Sequence, residues 1–140
     1  IPDFHINNIV DISLSKKIDA LIIGNTTSER KFDLNNKYIK EKGGLSGAPI
    51  FSLSTKKLAI AYKHSRGKLP IIGVGGIISG QDAYEKICAG ATALQIYTSL
   101  IYKGPKIVKV IKEQILRNLE EDNFNSIKEA VGSKNSEYLN

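Results

Sequence analysis

Pro70-Ile71-Ile72-Gly73-Val74-Gly75-Gly76-Ile77 is the stretch that decides the fold. Its apolar residues are nearly continuous rather than alternating, which reads as a parallel strand covered on both faces. The glycine pair that ends it marks backbone that something must approach closely. Glycine has no Cβ, so its amide can be brought against a ligand and its φ can turn positive. Ser79-Gly80-Gln81-Asp82 follows as a capping box with Asp in place of Glu, and Gly90 sits well for C′. A helix over roughly 80–89 is therefore expected. Ala93-Leu94-Gln95-Ile96-Tyr97 is a second apolar run. The strand, helix and strand over 71–97 make a compact unit with a right-handed crossover.

Outward from that unit the pattern repeats. Ala20-Leu21-Ile22-Ile23-Gly24 is an earlier strand, preceded by a helix whose face carries Ile6, Ile9, Val10 and Ser13. Ser54 reads as the N-cap of a helix lined by Leu58, Ala61 and Tyr62. Gly104-Pro105 opens the longest helix, striped by Ile107, Val108, Ile111, Ile115, Leu116 and Leu119. A short helix over 126–131 ends at Gly132, and residues 133–140 read as a frayed tail. Helices alternating with apolar strands give an α/β parallel sheet. The connection over 25–53 is long and rich in Lys, Asn and Gly, as active-site lids are.

Composition narrows the function classes. The 140 residues suffice for one modest core, but a complete (β/α)₈ barrel needs roughly 250. No apolar stretch approaches the ~20 residues that span a bilayer. Ile1-Pro2-Asp3 lacks a signal-peptide pattern and reads as a cut through a longer protein. The net charge of +6 comes from lysines scattered among acids, without interleaved aromatics, so nucleic-acid binding is not expected. A lone cysteine, Cys88, excludes an internal disulfide and a cysteine-based metal site, and reads as a buried, inert thiol. No catalytic triad, metal-binding or Walker signature is present. His5 and His64 have no evident carboxylate or hydroxyl partner at useful spacing.

Barrel sites form at the C-terminal ends of strands. Those ends carry Gly24-Asn25-Thr26-Thr27, Val74-Gly75-Gly76 and Tyr97-Thr98. Gly75-Gly76 can offer consecutive amides to an anion, with Thr98 adding a hydroxyl. Asn25 has a donor and an acceptor suited to a ring with amide-like edges. Gly43-Gly44-Leu45-Ser46-Gly47 is a second glycine-rich loop, with three glycines in five residues. Together these features point to a phosphate-bearing cofactor held largely by main chain. A non-catalytic phosphate-binding module fits the same residues.

Asn25-Thr26-Thr27, the 43–47 loop, the 70–76 run, Gly80-Gln81-Asp82-Ala83, Ala89-Gly90-Ala91 and Gln95-Ile96-Tyr97-Thr98 jointly resemble class 2, quinone-dependent dihydroorotate dehydrogenase. The resemblance runs from Pro2-Asp3 to about Gly132. It implies that residues 1–132 are the C-terminal half of an FMN-binding (β/α)₈ barrel with parallel strands. By that resemblance Gly24, Ser46, Gly47, Val74, Gly75, Gly76, Tyr97 and Thr98 contact FMN, and Asn25 and Thr26 contact dihydroorotate or orotate. Tyr97 favours class 2, because class 1 relatives usually carry Gly there. Gly24 departs from the Thr or Ser common in the family, so any contact there is through backbone. The family's catalytic Ser base lies upstream, leaving no catalytic residue and no metal ligand in this chain. Alone, the chain is expected to fold poorly and to be inactive. The implied partners are ubiquinone, the rest of the barrel and, through an upstream region, the mitochondrial inner membrane. Another FMN- or phosphate-binding barrel oxidoreductase, such as a class 1 relative, is the alternative enzyme.

Overall fold

The computed structural model describes residues 1–30 and 39–139. Three parallel strands, β1 (Leu21–Ile23), β2 (Ile71–Val74) and β3 (Ala93–Gln95), form one sheet in the order β1-β2-β3. Leu21 pairs with Ile71, and Ile72 pairs with both Ile22 and Ala93. Each strand is therefore the spatial neighbour of the next one in sequence, as successive βα units require. Helix α1 (Asp3–Ser15) precedes β1, α2 (Phe51–Ser65) joins β1 to β2, and α3 (Gly80–Ala89) joins β2 to β3. After β3 come α4 (Thr98–Lys103), α5 (Lys106–Glu121) and α6 (Ile127–Ala130).

The helices cover one face of the sheet. Ile71 of β2 is buried with Ile6, Val10, Leu58 and Ala61, and Leu21, Ile23 and Leu94 pack on that cluster. A second cluster joins α3 to α5 through Ala83, Tyr84, Ile87, Ile107, Ile111, Ile115 and Leu119. The opposite face, with Ile22 (50% exposed), Ala93 and Gln95, is uncovered among the described residues. Continuous apolar strands thus mark a sheet meant for two covered faces, of which the described residues cover one.

The sequence-based boundary of α3 matches the structure: Ser79 Oγ accepts from the Asp82 amide, and Gly90 stops the helix at φ 129°. The α5 stripe narrows, since Val108 and Leu116 face outward while Ile107, Ile111, Ile115 and Leu119 are buried. Ser54 is not an N-cap. The helical path begins earlier, in a 3₁₀ turn at Ala48–Ile50 carrying Pro49, and leads directly into α2. The short α4 was not expected, because six residues are too few to show a helical period. Residues 31–38, part of the expected long loop, lie outside the described residues. On either side of them, Thr27 and Leu45 form an antiparallel bridge, and Arg30 bonds the carbonyls of Thr27 and Gly43.

The tail is not frayed over 133–139. The Gly132 and Lys134 amides donate to the Ile87 and Cys88 carbonyls, and Asn135 Nδ2 caps the carbonyls of Ala59 and Ala89. The tail thereby satisfies orphan carbonyls at the end of α3, where a helix leaves several unpaired. Asn140 lies outside the described residues. His64 does have a carboxylate partner: its Nε2 lies 2.8 Å from Asp11 Oδ1, joining α2 to α1. The partner comes from another helix, which sequence spacing cannot show.

Candidate functional site

A cleft of about 410 Å³ opens at the C-terminal ends of the three strands. Gly24, Asn25 and Thr26 line it after β1, and Val74, Gly75 and Gly76 after β2. Tyr97 and Thr98 line it after β3, with Ser46 and Gly47 contributed by the loop before α2. All ten residues singled out from the sequence thus share one hollow. Parallel strands in register bring this about, because their equivalent ends must lie side by side.

The β2 turn is built for close approach. Gly75 and Gly76 both hold positive φ, 96° and 80°. A Cβ on Gly76 would stand 2.7 Å from the Phe51 backbone nitrogen, so only glycine lets the turn lie against the start of α2. On the other side, Ser54 Oγ reaches the Gly75 carbonyl at 2.9 Å. Among the described residues, the amides of Gly75 and Gly76 have no hydrogen-bond acceptor within the fold. Such unspent amides at a turn make an anion-binding concavity.

The opposite wall is tied together by side chains. Thr98 Oγ1 lies 3.1 Å from Ser46 Oγ, and a Cβ on Gly47 would meet Thr98 Cγ2 at 3.1 Å. Ser99, next in the chain, lines the same cleft, and its buried hydroxyl has no partner among the described residues. At the β1 end, Asn25 Oδ1 accepts from the Thr26 amide at 2.8 Å, which leaves Asn25 Nδ2 available as a donor. Gly44 lies directly against the Thr26 side chain, holding the two loops together.

The described lining contains no carboxylate, imidazole or amine. Among the described residues no group of His, Cys, Asp and Glu could hold a metal ion. The cleft supplies donors, a shaped wall and exposed apolar strand surface at Ile22.

One residue of this neighbourhood was not anticipated. Lys86 of α3 is wholly buried (0% exposed) behind the β2 turn, and its Nζ donates to Ser54 Oγ at 2.8 Å and Thr55 Oγ1 at 2.9 Å. Burial lowers its pKa to about 7, and the Asp82 charge opposes that shift. The available signal was its spacing three residues after Ala83, on a face that packs inward.

A separate polar hollow of about 280 Å³ lies between α3, α5 and the tail. Tyr84 donates to Asp122 Oδ2 at 2.7 Å there, and Lys134 pairs with the same oxygen at 2.6 Å. Those bonds knit the tail to α5, and none of the ten residues lies there.

The family model described as dihydroorotate dehydrogenase matches residues 1–119. The mitochondrial dihydroorotate dehydrogenase (quinone) of Arabidopsis thaliana is 48% identical over 129 residues, covering 91% of this chain and 28% of that protein. The dihydroorotate dehydrogenase (quinone) of Azorhizobium caulinodans is 43% identical over 131 residues, covering 94% of this chain and 37% of that protein. The crystal structure of the Eimeria tenella enzyme in complex with ferulenol superimposes with a TM-score of 0.89 at 39% identity, over 94% of this chain and 35% of that one. The chain therefore spans about a third of the length of the proteins it matches, and its sheet is a segment of a (β/α)₈ barrel. Matched along most of its length by sequence and by fold, the chain belongs to the dihydroorotate dehydrogenase family.

Proposed function

We propose that this chain forms the flavin-phosphate grip and part of the substrate contacts of a quinone-linked dihydroorotate dehydrogenase, which oxidises dihydroorotate to orotate. The observation that carries this reading is the convergence of the three strand ends on one cleft whose Gly75 and Gly76 amides are unspent.

The donor set fits flavin mononucleotide. Gly75 and Gly76 offer amides to a phosphate monoester, and the unpartnered Ser99 hydroxyl and the Ser46–Thr98 pair line the same cleft. Main-chain donors suit a phosphate because they are fixed in place before the ligand arrives. Gly24, Val74, Gly47 and Tyr97 give the cofactor body its walls. When bound, FMN supplies the hydride acceptor; the residues of this chain supply binding and orientation. Asn25 and Thr26 orient the dihydroorotate ring, Asn25 through its free Nδ2 donors. Holding a ring in a reactive pose can lower a barrier by up to ~7–11 kcal/mol. The base that removes the substrate proton is a serine elsewhere in the barrel. The remaining strands of that barrel join at the edges β1 and β3, and their inward side chains fill the uncovered sheet face. Ubiquinone reoxidises the flavin, and the site of action is the mitochondrial inner membrane, reached through an upstream region.

Expression of the full-length protein tests this reading. It should purify yellow, with a flavin spectrum bleached by dihydroorotate and restored by ubiquinone analogues. Colourless protein, or rapid turnover with fumarate and none with quinone, overturns it.

A further inference from the structure

Lys86 does not line the cleft, yet its burial is costly. Among the described residues no carboxylate lies within ion-pairing distance of it, and its only close partners are two hydroxyls and the Phe51 ring, 4.9 Å from Nζ. A buried amine without an ion pair carries a large desolvation cost, which a hydrocarbon side chain of similar volume would not.

Counting protons shows what the amine does. Ser54 Oγ has one proton and two acceptors at 2.9 Å, the carbonyls of Phe51 and Gly75. Thr55 Oγ1 already donates to the Phe51 carbonyl at 2.7 Å. Lys86 donates to both hydroxyl oxygens, so each hydroxyl proton is free to point onward. Thr55 serves Phe51, and the Ser54 proton is left for Gly75. In a planar trans peptide the amide lies opposite the carbonyl. With the Gly75 carbonyl held toward α2, the Gly76 amide is turned away from α2, toward the cleft both glycines line.

We propose that Lys86 is the positioning residue of the phosphate grip: acting through Ser54, it locks the Gly75–Gly76 peptide so that the Gly76 amide meets the phosphate of the flavin nucleotide. The inference rests on the cleft being the FMN site. A glycine pair is free to rotate its peptide, so the relay supplies the rigidity that the turn lacks. Lys86→Met removes the donors while keeping the bulk, and Ser54→Ala cuts the same relay with a smaller change.

The test compares FMN with riboflavin, which has the same ring system and no phosphate. Apo forms of the full-length protein and both variants are titrated with each by flavin fluorescence, with melting temperatures recorded alongside. The unaltered protein should prefer FMN by about a hundredfold, as expected for hydrogen bonds to a charged group. Each variant should lose on the order of tenfold in FMN affinity, with riboflavin affinity changed by no more than about twofold. The double variant should lose no more than the worse single one, because both cut one relay. A merely structural lysine would weaken both ligands together, and that result overturns the inference. Full FMN preference in both variants also overturns it while leaving the cleft assignment intact. Equal affinities in the unaltered protein overturn the cleft assignment itself, and the inference with it. If Lys86→Met fails to fold, Ser54→Ala decides the question.

Discussion

The back of the sheet and its C-terminal rim are built on opposite principles. Behind the sheet, α1, α2, α3 and α5 bury Val10, Leu58, Ile87 and Ile111 in two apolar clusters. At the rim, the determining atoms are main-chain amides and small hydroxyls, and the positions that matter are places where a side chain is absent. The back derives stability from area removed from water. The rim gives up that stabilisation in return for access. The division teaches that a substitution's effect here depends on which side of β2 it falls, more than on its distance from the cleft.

The largest expected effect breaks the back alone. Leu58→Ala should destabilise the full-length protein by about 2–5 kcal/mol, since Leu58 is fully buried beneath Gly73. Urea titration measures this, and flavin affinity of the folded fraction should be unchanged. Gly76→Ala crosses the boundary. Its Cβ would overlap the Phe51 backbone at a positive φ, so it should cost on the order of 1–3 kcal/mol in stability. It should also abolish flavin retention, read from the flavin-to-protein absorbance ratio. Asn25→Ala touches the rim only. It should lower kcat/KM for dihydroorotate by an amount equivalent to about 1–3 kcal/mol, with flavin content and melting temperature unchanged.

A pH dependence belongs to the boundary itself. Burial holds Lys86 at about 7, below its ordinary 10.5. Between those values the unfolded chain binds a proton that the folded chain does not, so this group makes stability rise with pH. Below about pH 7 both states are protonated and its unfavourable contribution is at its fullest. The stability difference between the unaltered protein and Lys86→Met should therefore shift in favour of the unaltered protein as pH rises from 7 to about 9.5. Thermal melts across that window measure it; parallel curves would place the Lys86 amine in a wetter setting.

The two regions were also legible in the sequence to different degrees. Helix α3 could be bounded at both ends because Ser79, Asp82 and Gly90 act locally. The α5 stripe could be read because burial follows helical period, although Val108 and Leu116 lie just outside the buried arc. The rim residues could be found because several glycine and small polar groups follow apolar strands together, and because the family resemblance ordered them. What escaped depends on contacts between distant segments. Ser54 looked like a cap, since nothing local reveals that its hydroxyl faces Gly75, 21 positions away. Lys86 was not singled out, since its partners lie on α2. The tail looked frayed because Asn135 finds its acceptors on α2 and α3. Local chemistry writes boundaries into a sequence, whereas a relay across two helices becomes visible only once they pack.

A crystal structure of the full-length protein with FMN tests the central claim most directly. The phosphate should lie within hydrogen-bond distance, about 2.7–3.2 Å, of the Gly76 amide, with the Gly75 carbonyl still turned toward Ser54. A phosphate bound away from the β2 turn, or a Gly75–Gly76 peptide flipped to present its carbonyl to the cleft, would contradict the account.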